Sequence, residues 1–294
     1  MTLRIYRGDR SSPRTAKAAS RRILTKSGDI RVGARLDRYR VTGRIGEGGF
    51  ATVYSAIDTR DRSSVALKIP DASWLDDETV AEDLQREVKI LGKMDHPGIV
   101  PLRDARVICD QFVMVFPMGD ESLASRLTRR ISRATAMDYA IQMVAAVAYA
   151  HANEILHRDI KPDNFIVFPE QTVRLTDFGL ARVENVLHDV SASGTLGYIA
   201  PEQAMGHPSY RTDVFSLGLV LYHMFSGEIP EYPFRTLPGF NRFRRGLSNE
   251  FVAVVRKALD MTASRRFRDA VAMHNALLRV KYPLTDRRVT FRAA

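Results

Sequence analysis

The hydrophobic pattern of the chain changes near residues 116–119. From Tyr39 to about Val115 apolar and polar residues alternate as in strands, whereas after Glu121 the apolar residues recur at helical spacing. One helix, from about Asp76 to Met94, interrupts the strand-rich part. The pattern predicts an α+β fold in which a small sheet precedes a larger helical part. Strands are predicted in the runs YRVTGRIG, ATVYSAID, SSVALKIP and RVICDQFVMVF, and later helices over residues 134–153, 211–226, 248–259 and 269–280.

The single cysteine, Cys109, excludes a disulfide framework and favours a reducing compartment. Its surroundings, two strands joined by a polar turn, predict a buried small side chain in preference to a reactive thiol. With 294 residues, 45% of them hydrophobic, the chain can form a large core. It contains no apolar run of membrane-spanning length, and residues 1–10 lack the apolar stretch of a secretory signal. We therefore expect a cytoplasmic protein without a transmembrane segment.

The net charge of +10 belongs almost entirely to one end of the chain. Residues 1–40 carry 12 Lys and Arg against 3 Asp and Glu, which leaves the other 254 residues nearly neutral. The composition predicts a flexible basic extension over residues 1–34. A solvated tail, an arm that binds an acidic partner, nucleic acid or membrane headgroups, and a transit peptide all fit this composition. Tyr6 is the only aromatic residue beside the basic run, which weakens a single-strand-binding role.

A glycine-rich turn, GEGGFATV, separates the first two predicted strands. A dinucleotide-binding fold requires a helix after such a turn, but residues 52–56 continue as a strand. Gly46 and Gly48 lack side chains, so their N–H groups can approach phosphates beneath a two-stranded flap. A bare turn explains this segment equally well when it is taken alone.

Six short motifs then follow in a fixed order. Lys68 ends the run VALK, and Glu87 lies nineteen residues later in a predicted helix. They are followed by HRDIKPDN (157–164), TDFG (176–179), GTLGYIAPE (194–202) and DVFSLG (213–218). In this order the set resembles the eukaryotic-type Ser/Thr protein kinase family over residues 39–280. The phrase APEQ and the short helical end are most similar to bacterial members.

The resemblance implies a bilobal kinase fold and a set of site residues. It places the smaller lobe at about residues 35–116, the larger at about 120–282 and a tail at 283–294. The implied cofactors are ATP and Mg²⁺, since phosphoryl transfer depends on positioning and charge neutralisation. The implied catalytic residues are Asp159, which accepts the hydroxyl proton, Lys161, which stabilises the γ-phosphoryl group, and Lys68 with its partner Glu87. The implied nucleotide-binding residues are Ile45, Gly46, Gly48, Val53, Ala66, Lys68, Phe116, Met118 and Asn164, and the metal ligands are Asn164 and Asp177.

The resemblance also implies a class of substrate and several structural contacts. Lys161 favours Ser/Thr acceptors, and Thr195 matches the residue that contacts Asp159 and Lys161 in Ser/Thr kinases. Asp213 is expected to fix the catalytic-loop backbone, with His157 packed beneath the loop. Glu202 is expected to form a buried ion pair with Arg266, with Arg265 as the rival partner.

The sequence departs from the family at two segments, the glycine-rich phosphate flap GEGGFATV (46–53) and the hinge MVFPMGDES (114–122). Ala51 replaces the third glycine, and Phe116 stands where an acidic residue is common. Pro117 lacks a backbone donor, so adenine contacts are expected from Phe116 and Met118. We expect Val115 to control the back pocket, with Met114 as the alternative if the register shifts by one.

Regulation is predicted from two arginines and two serines. Arg158 and Arg182 would point toward the segment 177–202, and a phosphate at Ser191, or less favourably Ser193, would satisfy both. A constitutively ordered segment with unmodified serines is the alternative. Two other function classes remain, a pseudokinase scaffold and a small-molecule kinase. The complete set of catalytic residues disfavours the first, and Lys161 with GTLGYIAPE disfavours the second.

Overall fold

The computed structural model of the protein describes residues 30–47, 51–70, 78–178, 196–231, 234 and 236–280. The chain divides into two compact units. The first comprises residues 1–130 and 162–193, and the second residues 131–161 and 194–294. In the described part of the chain, none of the helices has the length and apolar content that a bilayer span requires.

The first unit contains a six-stranded antiparallel sheet and one long helix. The strand order is β1-β2-β3-β4-β6-β5. The strands predicted from alternation are confirmed as β2 to β6. β-branched and aromatic residues, which favour strands, recur in each of them. Within the six-stranded sheet of the described residues, only the two-residue strand β1 was not predicted. The elements are β1 Arg35–Leu36, β2 Tyr39–Glu47, β3 Ala51–Asp58, β4 Ser64–Pro70, α1 Glu78–Leu91, β5 Asp104–Ile108 and β6 Gln111–Pro117.

One face of this sheet packs into a core that includes residues just before β1. Ile30 is 5% exposed, belongs to the core cluster and donates its N–H to Tyr54 Oη over 3.1 Å. Gly33 donates its N–H to the Val41 carbonyl over 2.8 Å. Ile30, Gly33 and Ala34, which the charge pattern assigns to the basic extension, therefore contact the sheet. We propose residue 29 as the end of the extension.

The turn between β5 and β6 consists of Cys109 and Asp110, both with positive φ. The predicted polar turn is confirmed, and Cys109 is half-buried. Burial raises the pKa of its thiol, which favours the unreactive protonated form.

A small three-stranded sheet, β7-β8-β9, completes the described part of the first unit. Its strands were not predicted, because runs of two to four residues are too short to show a period. β8 begins directly after Asn164, and β9 ends directly before Thr176, whose N–H donates to the Asn164 carbonyl over 2.9 Å. The sheet thereby brings the backbones of Asn164 and Thr176 together. The elements are β7 Glu121–Ser122, α2 Leu123–Leu127, β8 Phe165–Phe168 and β9 Thr172–Leu175.

The second unit is helical, as the sequence predicts, and the ends of its four predicted helices lie within three residues of the prediction. Helix α5 is almost entirely buried and packs against α3, α7 and α8. Side chains of Ser132, Ser248 and Asp269 cap α3, α7 and α8 by accepting backbone N–H groups. Gly227, with φ of +75°, ends α5 in the left-handed conformation. The helices are α3 Arg133–Ala152, α4 Pro201–Ala204, α5 Tyr210–Ser226, α6 Phe240–Arg244, α7 Asn249–Ala258 and α8 Ala270–Leu277.

Candidate active site

Lys68 and Glu87 form a buried ion pair in the first unit. Lys68 lies on β4 and Glu87 on the buried face of α1, and Lys68 Nζ donates to Glu87 Oε1 over 3.1 Å. Lys68 is 8% exposed and Glu87 only 1%. Among the described residues, none bonds the second carboxylate oxygen, Glu87 Oε2. Burial raises the pKa of Glu87 to about 7, although the Lys68 ammonium acts to lower it.

The Lys68 ammonium also donates to Oδ1 of Asp177. Asp177 follows β9, has φ of +67° and exposes part of its carboxylate. Burial alone would lower the pKa of Lys68, but the carboxylates of Asp177 and Glu87 outweigh it and raise that pKa. The structure therefore holds a fixed cation between two carboxylates from separate parts of the sequence.

Asn164 and Asp177 fit a divalent cation with oxygen preference. The Thr176–Asn164 backbone bond places the two residues on adjoining chain segments. Their side chains offer carboxamide and carboxylate oxygens, the ligands that Mg²⁺ accepts together with phosphate oxygens. Asn164 is buried and Asp177 is partly exposed, so a ligand can reach the carboxylate.

Cross-strand pairing aligns several of the residues predicted to bind the nucleotide. Gly46 on β2 faces Val53 on β3, and Val53 faces Lys68 on β4. Ala66 on β4 faces Phe116 on β6. Gly48 lies outside the described residues, and Ile45 is exposed on β2. The sheet therefore places these predicted residues on four neighbouring strands, β2, β3, β4 and β6.

The prediction of Val115 as the back-pocket residue is wrong. Directly opposed residues of an antiparallel pair point to the same face of a sheet. Val115 opposes Leu67, and both belong to the apolar core cluster. Met114 opposes Lys68 and shares its face, so the alternative register applies. The error of one residue moves the side chain to the other face of the sheet.

The hinge backbone is partly engaged within the sheet. Met118 donates its N–H to the Ser64 carbonyl over a long 3.3 Å. An adenine contact through this N–H, as the sequence predicts, would have to replace that bond. The Met118 contact remains a prediction.

Asp159 and Lys161 form a pair in the second unit. Lys161 Nζ lies 2.9 Å from Asp159 Oδ2, and both side chains are partly exposed. Asp213 on α5 anchors the backbone of the loop HRDIKPDN. Its carboxylate accepts the N–H groups of His157 and Arg158, each over 2.8 Å. The expected roles of Asp213 as backbone anchor and of His157 as a buried support are confirmed.

His151 supports this anchor and was missed by the sequence analysis. Its Nδ1 accepts the N–H of Ala270 over 2.9 Å, so the proton of the neutral ring lies on Nε2. Nε2 lies 3.0 Å from Asp213 Oδ2 and donates to it. No pattern in a single sequence marks this histidine, because its partners come from distant helices.

The predicted ion pair of Glu202 is formed with Arg266 and not with Arg265. Arg266 Nη1 and Nη2 lie 2.6 and 3.1 Å from the two carboxylate oxygens of Glu202. The Arg266 side chain is fully buried, whereas Arg265 is exposed. Ser191, Ser193 and Thr195 lie outside the described residues, so their predicted roles stay predictions.

Comparison with protein families adds the deciding observation. The model of the protein kinase domain matches residues 39–276. The chain belongs to the protein kinase domain family. The matched range contains every residue of the two groups described above.

Protein kinases from plants and bacteria are similar to this chain in sequence. CBL-interacting protein kinase 16 of Oryza sativa subsp. japonica is 36% identical over 209 residues, which cover 66% of this chain and 45% of that protein. Serine/threonine-protein kinase PknD of Mycobacterium tuberculosis is 34% identical over 206 residues, covering 68% and 31%. PrkC of Bacillus subtilis is 33% identical over 207 residues, covering 68% and 32%. The chain thus spans half or less of the length of these relatives.

Solved kinase structures are similar to this chain in fold. The Mycobacterium tuberculosis PknI kinase domain has a TM-score of 0.65 at 22% identity, and the match covers 85% of this chain and 98% of that domain. At this identity the likeness supports the kinase fold and not a particular substrate.

Proposed function

We propose that the protein is a Ser/Thr protein kinase that transfers the γ-phosphoryl group of ATP to protein hydroxyl groups in the presence of Mg²⁺. The observation that carries this proposal is the buried Lys68 ammonium, bonded to both Glu87 and Asp177. If Lys68 belonged to an ordinary surface ion pair, its ammonium would make a single contact and would be exposed to solvent. Such a pair would not explain a buried cation bonded to two carboxylates from separate parts of the sequence.

Each residue has a role that follows from its chemistry. Lys68 neutralises charge on the α- and β-phosphates, and Glu87 fixes the direction of its ammonium. Asn164 and Asp177 would hold Mg²⁺, which when bound neutralises phosphate oxygens. Asp159 accepts the proton of the substrate hydroxyl, and the Lys161 ammonium, 2.9 Å from the Asp159 carboxylate, stabilises the transferred group.

Two alternative functions are less well supported. A pseudokinase scaffold would not need Lys68, Glu87 and Asp177 bonded together, and Asp159 would not need its partner Lys161. A small-molecule kinase would not need the segment GTLGYIAPE for peptide binding. The relatives named Ser/Thr protein kinases favour a protein substrate as well.

The test is phosphate transfer from labelled ATP to Ser- and Thr-containing peptides, followed by mapping of the modified sites. Asp159→Asn should remove most of the transfer while ATP binding stays near the wild-type level. Asp163→Asn is the matched control, since Asp163 is an exposed aspartate of the same loop. Asp177→Ala should weaken Mg²⁺-dependent ATP binding because a carboxylate ligand is lost. Near-wild-type turnover in Asp159→Asn would refute the assigned base role.

We propose that phosphorylation at Ser191, or less favourably at Ser193, raises activity. Arg158 supports this, because its exposed side chain has no carboxylate partner among the described residues. A phosphate would supply acceptor oxygens for this guanidinium. Site mapping and rates for Ser191→Ala and Ser193→Ala decide the matter, and full activity in the double variant would argue against it.

We propose further that the protein is cytoplasmic and that its basic extension binds an acidic partner. Binding of the extension to acidic peptides, lost at high salt, would support the second part.

A further inference from the structure

Gln203 is a buried polar residue that no step above uses. It lies on the short helix α4, directly after Glu202, and is 5% exposed. Buried side-chain amides are uncommon unless they are hydrogen-bonded. Gln203 Nε2 donates to the carbonyl of Arg158 over 2.6 Å. The segment APEQ is thereby connected directly to the catalytic loop within the second unit.

The accepting carbonyl belongs to the peptide that immediately precedes Asp159. Because a peptide group is planar, fixing the Arg158 carbonyl also fixes the direction of the Asp159 N–H. That N–H donates to His157 Nδ1 over 3.3 Å. Arg158 itself has φ of +67°, a left-handed conformation that is unfavourable for a residue with a side chain. The surrounding structure must therefore maintain this backbone conformation.

Two side chains hold the unfavourable backbone from its two ends. Asp213 accepts the N–H of Arg158 over 2.8 Å, and Gln203 donates to its carbonyl. The bonds to Asp213 precede the peptide that joins Arg158 to Asp159. That peptide is constrained by the short bond from Gln203 to its carbonyl and by the longer bond from its N–H to His157 Nδ1. The position of Gln203 is itself fixed, because its neighbour Glu202 is bonded to the buried Arg266.

We propose that Gln203 is a positioning residue for Asp159, which extends the function proposed above. Its amide holds the peptide before Asp159 so that the carboxylate points consistently toward a substrate hydroxyl. The side chain must donate to a carbonyl, which an amide can do and an ionised carboxylate cannot. Misplacement of a catalytic group by about 1 Å can reduce a rate about a hundredfold.

Gln203→Met tests the proposal, because methionine keeps the length and removes the donor. We expect kcat for peptide phosphorylation to fall about tenfold or more while KM for ATP stays within about twofold. Gln203→Glu should fall at least as far, since a carboxylate would face a carbonyl oxygen. Val255→Ala is the matched control, because it creates a cavity on α7 in the same unit at a side chain that cannot form a hydrogen bond.

A role in overall stability would lower the unfolding temperature in Gln203→Met and in the control equally, with no selective change in kcat. Amide hydrogen exchange at residues 157–159 provides a readout that needs no activity. It should accelerate in Gln203→Met and stay unchanged in Val255→Ala. Wild-type kcat in Gln203→Met, or unchanged exchange at Asp159, overturns the proposal. Absence of phosphate transfer by the wild-type protein would instead refute the proposed function, and the exchange rates would still decide the role of Gln203.

Discussion

The ion pair between Glu202 and Arg266 is expected to stabilise the second unit, because the guanidinium of Arg266 is held by several contacts. The Arg266 guanidinium bonds both carboxylate oxygens, and its Nε donates to the Asp260 carbonyl over 2.7 Å. The guanidinium also lies 4.3 Å from the ring centre of Phe215. Glu202→Gln would leave this cation buried without a counter-charge.

Removing one partner of a buried ion pair costs about 3–5 kcal/mol. We expect the lower end, about 3 kcal/mol, for two structural reasons. Arg266 keeps its bonds to the carbonyls of Asp260 and Arg211, and the Glu202 side chain is 19% exposed, so water can reach the altered group. A loss of this size is a large fraction of a typical unfolding free energy of about 5–15 kcal/mol.

Urea unfolding of Glu202→Gln, Arg266→Met and the double variant would measure the coupling between the two side chains. We expect the double variant to lose about 2 kcal/mol less than the sum of the single variants, because each removes the same interaction. Arg265→Met is the control, since it removes an exposed arginine of the same segment and should change stability by less than about 0.5 kcal/mol. A coupling below about 0.5 kcal/mol would refute the reasoning.

Three further predictions concern the extension, pH and the cation. Deletion of residues 1–29 should leave turnover on a short peptide within a few-fold of the full chain. A deletion that also removes Ile30 should lower the unfolding temperature. Equal effects of the two deletions would contradict residue 29 as the end of the extension. Burial lowers the pKa of His223 below 6.5 in the folded state, so the unfolded state takes up the proton first as pH falls. Stability should therefore decline below about pH 6.5, by at most about 1.4 kcal/mol per pH unit for this group, and less steeply in His223→Gln. Lys68→Met should strengthen Mg²⁺ binding by the nucleotide-free protein, because it removes the cation bonded to Asp177; calorimetry showing no change would count against that pairing.

The residues that carry the proposed chemistry could be predicted because they lie in short motifs at characteristic spacings. Lys68 and Glu87 are nineteen residues apart, and the structure joins them by a buried bond. The alternating strands and the long helices were predictable for a related reason, since each carries a period that repeats several times. Asp213 was predictable as an anchor because it belongs to one of these motifs.

The residues that were missed depend on tertiary contacts or on register. Gln203 and His151 acquire their roles from partners more than forty residues away in sequence, which no local pattern encodes. Val115 was preferred over Met114 because alternation alone leaves two registers, and only the pairing of β4 with β6 selects one. Because the residues around Ile30 are polar in composition, the pattern did not indicate that this apolar side chain belongs to the core of the six-stranded sheet.

The buried polar groups of the protein suggest why these contacts persist although burial is costly. A buried ionisable or amide group destabilises the fold unless it finds a partner. Glu87 has one oxygen without a described partner and a pKa raised to about 7, so the fold retains an incompletely satisfied carboxylate to hold Lys68. Arg158 keeps an unfavourable backbone conformation that Asp213 and Gln203 stabilise. At Glu87 and at Arg158 the fold therefore loses some local stability. In return, the side chains of Lys68 and Asp159 keep a fixed orientation, as expected where orientation contributes to the rate of catalysis.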